Sequence, residues 1–245
     1  MITIAERKSR FGAITIQQGN SGGSVVYSQA GFFQSEADGN GVSTVSYIHA
    51  IYALLDQAGC QKILMIGCGG GTLATMLCTQ GRDTTVVDAD PQAFLLARKY
   101  FGLPDSILCR VADGCEYLLS DSSVYGAIVL DAFVGDQIPG HLQSSAFFQL
   151  ASKRLDPKGC ILANVHVRDD RDNTPDRIAI RMASVWPNVR ILDTPGTTNR
   201  NAIVMAGAVS HLSAPALLVS PQTSADKIGA ELGAMSFRTP FPSPP

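Results

Sequence analysis

Apolar positions change their spacing along the chain, and the changes mark out its parts. Over the first forty residues they form short runs at Phe11–Ile16 (FGAITI), Ser24–Ser28 (SVVYS) and Gly31–Gln34, with Gly19–Gly23 (GNSGG) as a turn. This pattern predicts a small antiparallel β-unit. A polar loop, Glu36–Gly41, follows, and Val45–Leu55 carries the spacing of a helix that ends near Gly59. From Lys62 the pattern becomes strand–helix alternation. Lys62–Ile66 (KILMI) is the continuous apolar run expected of a parallel strand buried on both faces. Further strands are predicted at Thr84–Asp88, Ser106–Val111, Tyr125–Asp131, Cys160–Val167, Val189–Leu192 and Ala202–Ala206. The intervening helices are predicted at Leu73–Thr79, Pro91–Phe101, Cys115–Leu119, Ser144–Leu155 and Asp176–Val185. Asp90 before Pro91 is a good N-cap, and Pro91 suits the first helical turn.

Such alternation predicts an α/β fold: a Rossmann-like, doubly wound, mostly parallel sheet of the methyltransferase-like kind, preceded by the small antiparallel unit. The expected organisation is an N-terminal β-unit at 1–42, a nucleoside-binding catalytic domain at 43–212 and a Pro-rich tail at 213–245. One helix is expected in the tail, near Ala225–Ala234, and Phe237–Pro245 is expected to be disordered or to lie along the surface.

Composition narrows the partners. A net charge of −2 and the lack of any basic run argue against a nucleic-acid surface. No apolar stretch is long enough for a membrane span, and the first ten residues lack the apolar region of a signal peptide. The six cysteines form no C-x-x-C pair, and the four histidines show no ligand spacing. A cytoplasmic protein with buried thiols and no metal is expected.

The chemistry concentrates at strand ends. Gly67, Gly69, Gly70 and Gly71 form a Gly-rich turn between a buried strand and a helix, where backbone can approach a ligand closely. Asp88 ends the next strand about twenty positions on, where a carboxylate can accept ribose hydroxyls. After the third strand, Asp113-Gly114 offers an acid that can accept from an adenine amino group or cap a helix. The fourth strand ends in Asp131, followed by AFVGDQIP, at the sheet edge where ligands of open α/β sheets bind. His166 closes the fifth strand and is a substrate-pocket candidate. His49 and His141 read as packing or capping groups, and Arg168–Arg171 (RDDR) as a solvated loop.

Together these residues resemble the spermidine synthase family of polyamine aminopropyltransferases over roughly Phe11 to Ala206. GFFQS (Gly31–Ser35) is similar to the family's G-x-x-Q-S strand, ILMIGCGGGT to its V-x-G-G-G-D-G loop, VVDAD to its V-E-I-D and ADG to its adenine-side D-G. VLDAFVGDQIPGHLQSSAFF resembles the catalytic-loop variant D-A-F-x-G-D-x-I-P-x-H-L, the longest and most specific match. The resemblance implies a decarboxylated S-adenosylmethionine donor, a small amine acceptor and a homodimer. It implies that Asp131 holds and deprotonates the acceptor and that Tyr47 and Asp136 help bind it. It places Gly67, Gly69, Gly71, Asp88, Asp113, Gly114 and Gln34 around the donor. Three positions depart from the family. Gly70 stands in place of an Asp that contacts the donor's ammonium, Gly12 in place of a Gln, and Ala30 in place of the Asp of an L-D-G turn.

Two other readings stay open. One is a methyltransferase using S-adenosylmethionine itself, which the loss of an acid at Gly70 would admit. Met65, two residues before the first loop glycine, stands where such enzymes usually carry an acid. The other is a non-catalytic nucleoside-binding member. A nicotinamide-dependent dehydrogenase fits less well, since it calls for neither the β-unit nor the D-A-F loop.

Overall fold

The computed structural model describes residues 1–19 and 23–241. Most of the Gly19–Gly23 turn and the last four residues of the tail lie outside them. The N-terminal unit is a four-stranded antiparallel meander of β1 (Ile2–Arg7), β2 (Ile14–Gln18), β3 (Val25–Gln29) and β4 (Phe32–Ala37). The strand expected at Phe11–Ile16 is therefore shifted toward Gln18, and β1 is an addition to the expected set. β1 lies at the sheet edge with almost every side chain exposed. Backbone pairing with β2, not burial, holds it, so it leaves little hydrophobic signature.

Helix α1 (Ser46–Gln57) leads into the main domain, which alternates β5 (Lys62–Ile66), α2 (Thr72–Thr79), β6 (Asp83–Asp88), α3 (Pro91–Phe101), β7 (Leu108–Val111), α4 (Gly114–Ser120) and β8 (Tyr125–Leu130). A short 3-10 helix (Gly140–Gln143) and α5 (Ser145–Lys153) precede β9 (Leu155–Val167). Then come α6 (Thr174–Ala183), β10 (Val189–Asp193), β11 (Arg200–Gly207), α7 (Ala225–Ala234) and β12 (Ser236–Arg238). The eight strands form one sheet in the order β12-β10-β11-β9-β8-β5-β6-β7. Pairing is parallel from β7 across to β9 and antiparallel from β9 to β12.

The sheet is buried on both faces because its strands alternate between two cores. In β5, Ile63 and Met65 join the core under α1, α2, α3 and α7, while Leu64 and Ile66 join the one under α4, α5 and α6. Each such side chain, fully buried, stabilises by about 1.5–3 kcal/mol. A third cluster joins Ile14, Ile16 and Tyr27 of the small sheet to Leu96 and Phe101 of α3, fastening the N-terminal unit to the main domain. The chain crosses from β7 to β8 on the other side of β5, which makes the carboxyl ends of β5 and β8 the switch point where a crevice opens.

Near the C-terminus the chain differs from the expected surface tail. Ser236–Arg238 pair with β10 and complete the sheet. Arg238 donates to both oxygens of Asp176 at 2.7 and 2.9 Å and also reaches Asp193, and its guanidinium lies near the Phe241 ring. A three-residue strand between a helix and a Pro-rich segment has no periodicity to announce it. No helix among the described residues is long and apolar enough to cross a membrane.

Candidate active site

The loop after β5 is built by glycine where nothing larger fits. Gly67 has φ +102°, and a Cβ there would stand 2.1 Å from the Asp131 carbonyl oxygen, so the loops after β5 and β8 run in direct backbone contact. A Cβ at Gly70 would meet the Phe101 ring at 2.8 Å. The position where the resembling family carries an Asp is therefore packed against an aromatic side chain in this chain. Ser35 of β4 accepts the Gly70 N–H at 2.9 Å and stands where a Cβ on Gly69 would have to go, tying the small sheet to the loop. Gly71 caps α2 and packs on Leu103 and Ala97, so it shapes the loop from behind.

This loop forms one wall of a cleft of about 180 Å³ at the switch point. Gly67, Gly69, Asp88, Asp113, Gly114, Asp131 and Gln34 all line it, so residues from both sheets meet here. One Asp88 oxygen accepts the Cys68 N–H at 2.8 Å and the other the Asp90 N–H at 2.7 Å. Each oxygen keeps a second acceptor site. Burial pushes the Asp88 carboxyl up to about 6, against the pull of those two bonds. Asp90 caps α3 through the Gln92 N–H, as expected. Asp113 caps α4 through the Cys115 and Glu116 N–H groups, and its other oxygen bonds His141 Nε2 at 2.7 Å. His141 thus meets the acid of the cleft. Gly114 packs tightly on Ile66, where a Cβ would come within 2.7 Å.

A second, wider cavity of about 480 Å³ adjoins the first, and Gln34 and Phe133 belong to the walls of both. Tyr47 and Asp136 lie in this second cavity, along with Asn164, His166 and Asn201. The Gln34 amide donates to the Gly135 carbonyl at 3.3 Å, holding the loop after β8 against β4.

Asp131 sits where the two cavities meet. The residue lines the cleft, yet its carboxylate's hydrogen-bond donors come from the cavity. Tyr47 Oη donates at 3.3 Å and Asn164 Nδ2 at 2.8 Å, and Asn201 Nδ2 holds the Asn164 amide oxygen at 2.9 Å. Burial raises the Asp131 carboxyl, and the two donated bonds partly offset that rise. Burial beside Asp131 holds the Tyr47 phenol well above its usual range, so it remains a donor. His49 is buried against the Ser43 carbonyl and belongs to the packing.

Sequence reasoning missed Asn164, Asn201 and Ser35. Asn164 had a signal: it is a lone amide, 1% exposed, inside the apolar strand β9. A buried amide requires a partner, and Asp131 is that partner. Asn201 and Ser35 carry no such mark, because their roles depend on which strands lie side by side.

No family model matches the chain. It is 33% identical over 169 residues to the polyamine aminopropyltransferase of Neisseria meningitidis serogroup B, a match covering 66% of this chain and 63% of that protein. The matches to the curated aminopropyltransferases span between 34% and 63% of those relatives' own length. Among solved structures, a probable spermidine synthase from Corynebacterium glutamicum superposes with a TM-score of 0.78, at 21% identity over 96% of this chain and 90% of that one. A spermidine synthase in complex with the transition state analogue AdoDATO gives a TM-score of 0.69 at 21% identity, over 94% of this chain and 85% of that one. The chain is thus similar in sequence to polyamine aminopropyltransferases and shares the methyltransferase-like fold of the spermidine synthases.

Proposed function

We propose that this chain transfers an aminopropyl group from a decarboxylated S-adenosylmethionine-type donor to a small amine. The observation that carries the reading is the position of Asp131: it lines the glycine-lined cleft, and its carboxylate is held by donors from the adjoining cavity. A bimolecular transfer requires such a junction, with donor and acceptor in separate compartments and their reacting atoms brought together.

On this reading, Asp88 receives the ribose hydroxyls on its two remaining acceptor sites. The adenine amino group donates to Asp113, sharing an oxygen with His141. Asp131 accepts from the acceptor's ammonium and takes its proton, leaving a neutral nitrogen. The nitrogen lone pair bonds the propyl carbon next to sulfur, the C–S bond breaks, and its electron pair stays on sulfur as the thioether of methylthioadenosine. The proton on Asp131 then passes to solvent. The raised Asp131 carboxyl suits this step, since a base closer to neutrality takes a proton more readily. Asn164 and Tyr47 keep it ionised often enough to act. A spermidine synthase of the same fold has been solved in complex with the transition state analogue AdoDATO, which supports transfer chemistry on this fold.

Calorimetry with decarboxylated S-adenosylmethionine, S-adenosylmethionine and methylthioadenosine, followed by an assay of methylthioadenosine release with a panel of amines, tests the reading. Amine-dependent release from the decarboxylated donor is the expected result. Tighter binding of the carboxylated donor together with methyl transfer would overturn it in favour of a methyltransferase.

A further inference from the structure

The end of the main sheet away from the cleft carries a pair of sulfurs that the transfer reading does not use. Cys60 lies just before β5 and Cys160 near the start of β9, and their Sγ atoms stand 4.0 Å apart. The two strands are not neighbours, since β8 runs between them. Residues two strands apart in a sheet are separated by about 10 Å at Cα, beyond the roughly 7 Å that a disulfide spans. A glycine removes that obstacle. Cys60 precedes the ladder, and a Cβ on Gly126 of β8 would stand 3.6 Å from both the Cα and the Cβ of Cys60. The chain at Cys60 therefore lies over Gly126, and its sulfur reaches across β8 toward Cys160, which pairs with Ala127.

Both backbones are fixed in this approach. The Cys60 N–H donates to the Leu55 carbonyl at 3.3 Å, and Arg82 donates to the Cys60 carbonyl at 2.8 Å while meeting Asp56 at 2.6 Å. Cys160 is held in the ladder between Ala127 of β8 and Gly207 of β11. The two thiols differ in access. Cys60 is 5% exposed and lies between the exposed Gly59 and Gln61, whereas Cys160 is 1% exposed. The Cys60 thiol donates to the Gly126 carbonyl at 3.3 Å, and its sulfur can accept from Cys160. That bond and the nearby Arg82 guanidinium draw Cys60 below the usual thiol range against its burial, while the same bond and burial hold Cys160 well above it. Cys60 is thus the thiol that a small oxidant meets first, with Cys160 beside it to resolve the product.

We propose that Cys60 and Cys160 form a modification site for small hydroperoxides, which join the two sulfurs in a disulfide that ties the approach to β5 onto β9. The Cys60 thiolate attacks a peroxide oxygen, the O–O bond breaks, and Cys60 becomes a sulfenic acid as the first water leaves. The Cys160 sulfur then attacks the Cys60 sulfur, the S–O bond breaks, and the hydroxyl leaves as a second water. The two thiols together lose two electrons and two protons, and hydrogen peroxide is reduced to water. The sulfurs close by about 2 Å, a movement that falls on the side-chain torsions and on the Cys60 loop outside the ladder. The site is independent of the transfer reading, because it lies at the opposite strand ends from Asp131 and Asn164.

The test treats the intact chain with a few equivalents of hydrogen peroxide and reads it by peptide mapping without reduction and by thermal unfolding. The expected result is a linked Cys60–Cys160 peptide, lighter than the two free peptides by two hydrogens and separated again by dithiothreitol. Tm should rise by about 5 °C or more, because the bond joins residues 100 positions apart and restricts the unfolded chain. Cys160→Ala should leave Cys60 as a sulfenic acid that dimedone labels, and Cys60→Ala should give neither label nor link. Peptide mapping of the parent is decisive even where a variant folds poorly. Peroxide that oxidises the half-buried Cys78, Cys109 and Cys115 while Cys60 and Cys160 remain free thiols overturns the proposal. A linked peptide with an unchanged or lowered Tm overturns it as well, and either result leaves the transfer reading standing.

Discussion

The glycine-lined cleft and the cavity beside it meet at one carboxylate but are built in different ways. The cleft wall from the main domain comes from turns directly after β5, β6, β7 and β8, each a short local motif. The cavity draws on β4, α1, β9 and β11, which lie far apart in the chain and meet only through sheet order. The cleft's polar groups are largely engaged with backbone: Asp88 with the Cys68 and Asp90 N–H groups, Asp113 with the start of α4. The cavity's polar groups are engaged with each other, in the relay from Asn201 through Asn164 to Asp131. Backbone-anchored acids suit a nucleoside that always presents the same face. A side-chain relay suits a compartment whose occupant can change while its base keeps its orientation.

The contrast breaks most sharply at the residue the two regions share. Asp131→Asn removes the proposed base but keeps its shape, so turnover should fall on the order of 10²–10⁴-fold. Methylthioadenosine binding, measured by calorimetry, should stay near that of the parent. A parallel loss of binding would show that Asp131 belongs to the cleft alone. Asp88→Ala cuts into the cleft only. On the proposed reading it removes two charge-assisted bonds to the ligand, so nucleoside affinity should drop by about ten- to a hundredfold. Unchanged affinity would show that the ribose is held elsewhere.

Asn164→Ala acts on the cavity side. Turnover should fall by roughly tenfold, and the acid limb of the pH–rate profile should move to higher pH, because the bond that lowers the Asp131 carboxyl is gone. A rate loss with an unmoved profile would assign Asn164 to packing. The smallest effect is a pH dependence of the cleft itself. Asp88 lies at about 6 in the folded chain against 3.8 without burial. Folding alone therefore favours its protonated form, and its contribution to stability is greatest below 3.8 and lost as pH rises through about 6. Ribose hydroxyls favour the ionised form. Nucleoside affinity should weaken several-fold as pH falls from 7 to 5, with proton release on binding near pH 6. Binding that is flat over this range would remove Asp88 from direct contact.

Much of this was legible before the structure. The continuous apolar run of β5, the glycine turn and the acids at 88, 113 and 131 marked the cleft, because strand-end chemistry is local and leaves its residues close together in sequence. Asp90 could be assigned to its cap from the following proline, and the helix at Ala225–Ala234 emerged with its expected bounds. The edges were less visible. β1 and β12 are held by backbone pairing and by the Arg238 ion pairs, and neither leaves an apolar period.

By itself the sequence determined the α/β alternation, the buried parallel strands and the acids at their tips, since periodicity and turn chemistry act between near neighbours. Only the tertiary structure decided that Asn164, Asn201 and Tyr47 converge on Asp131, that Phe101 packs against Gly70, and that Cys60 meets Cys160 across β8. Those contacts depend on strand order and on how the small sheet seats against α3, which are settled by burying apolar faces across the whole chain.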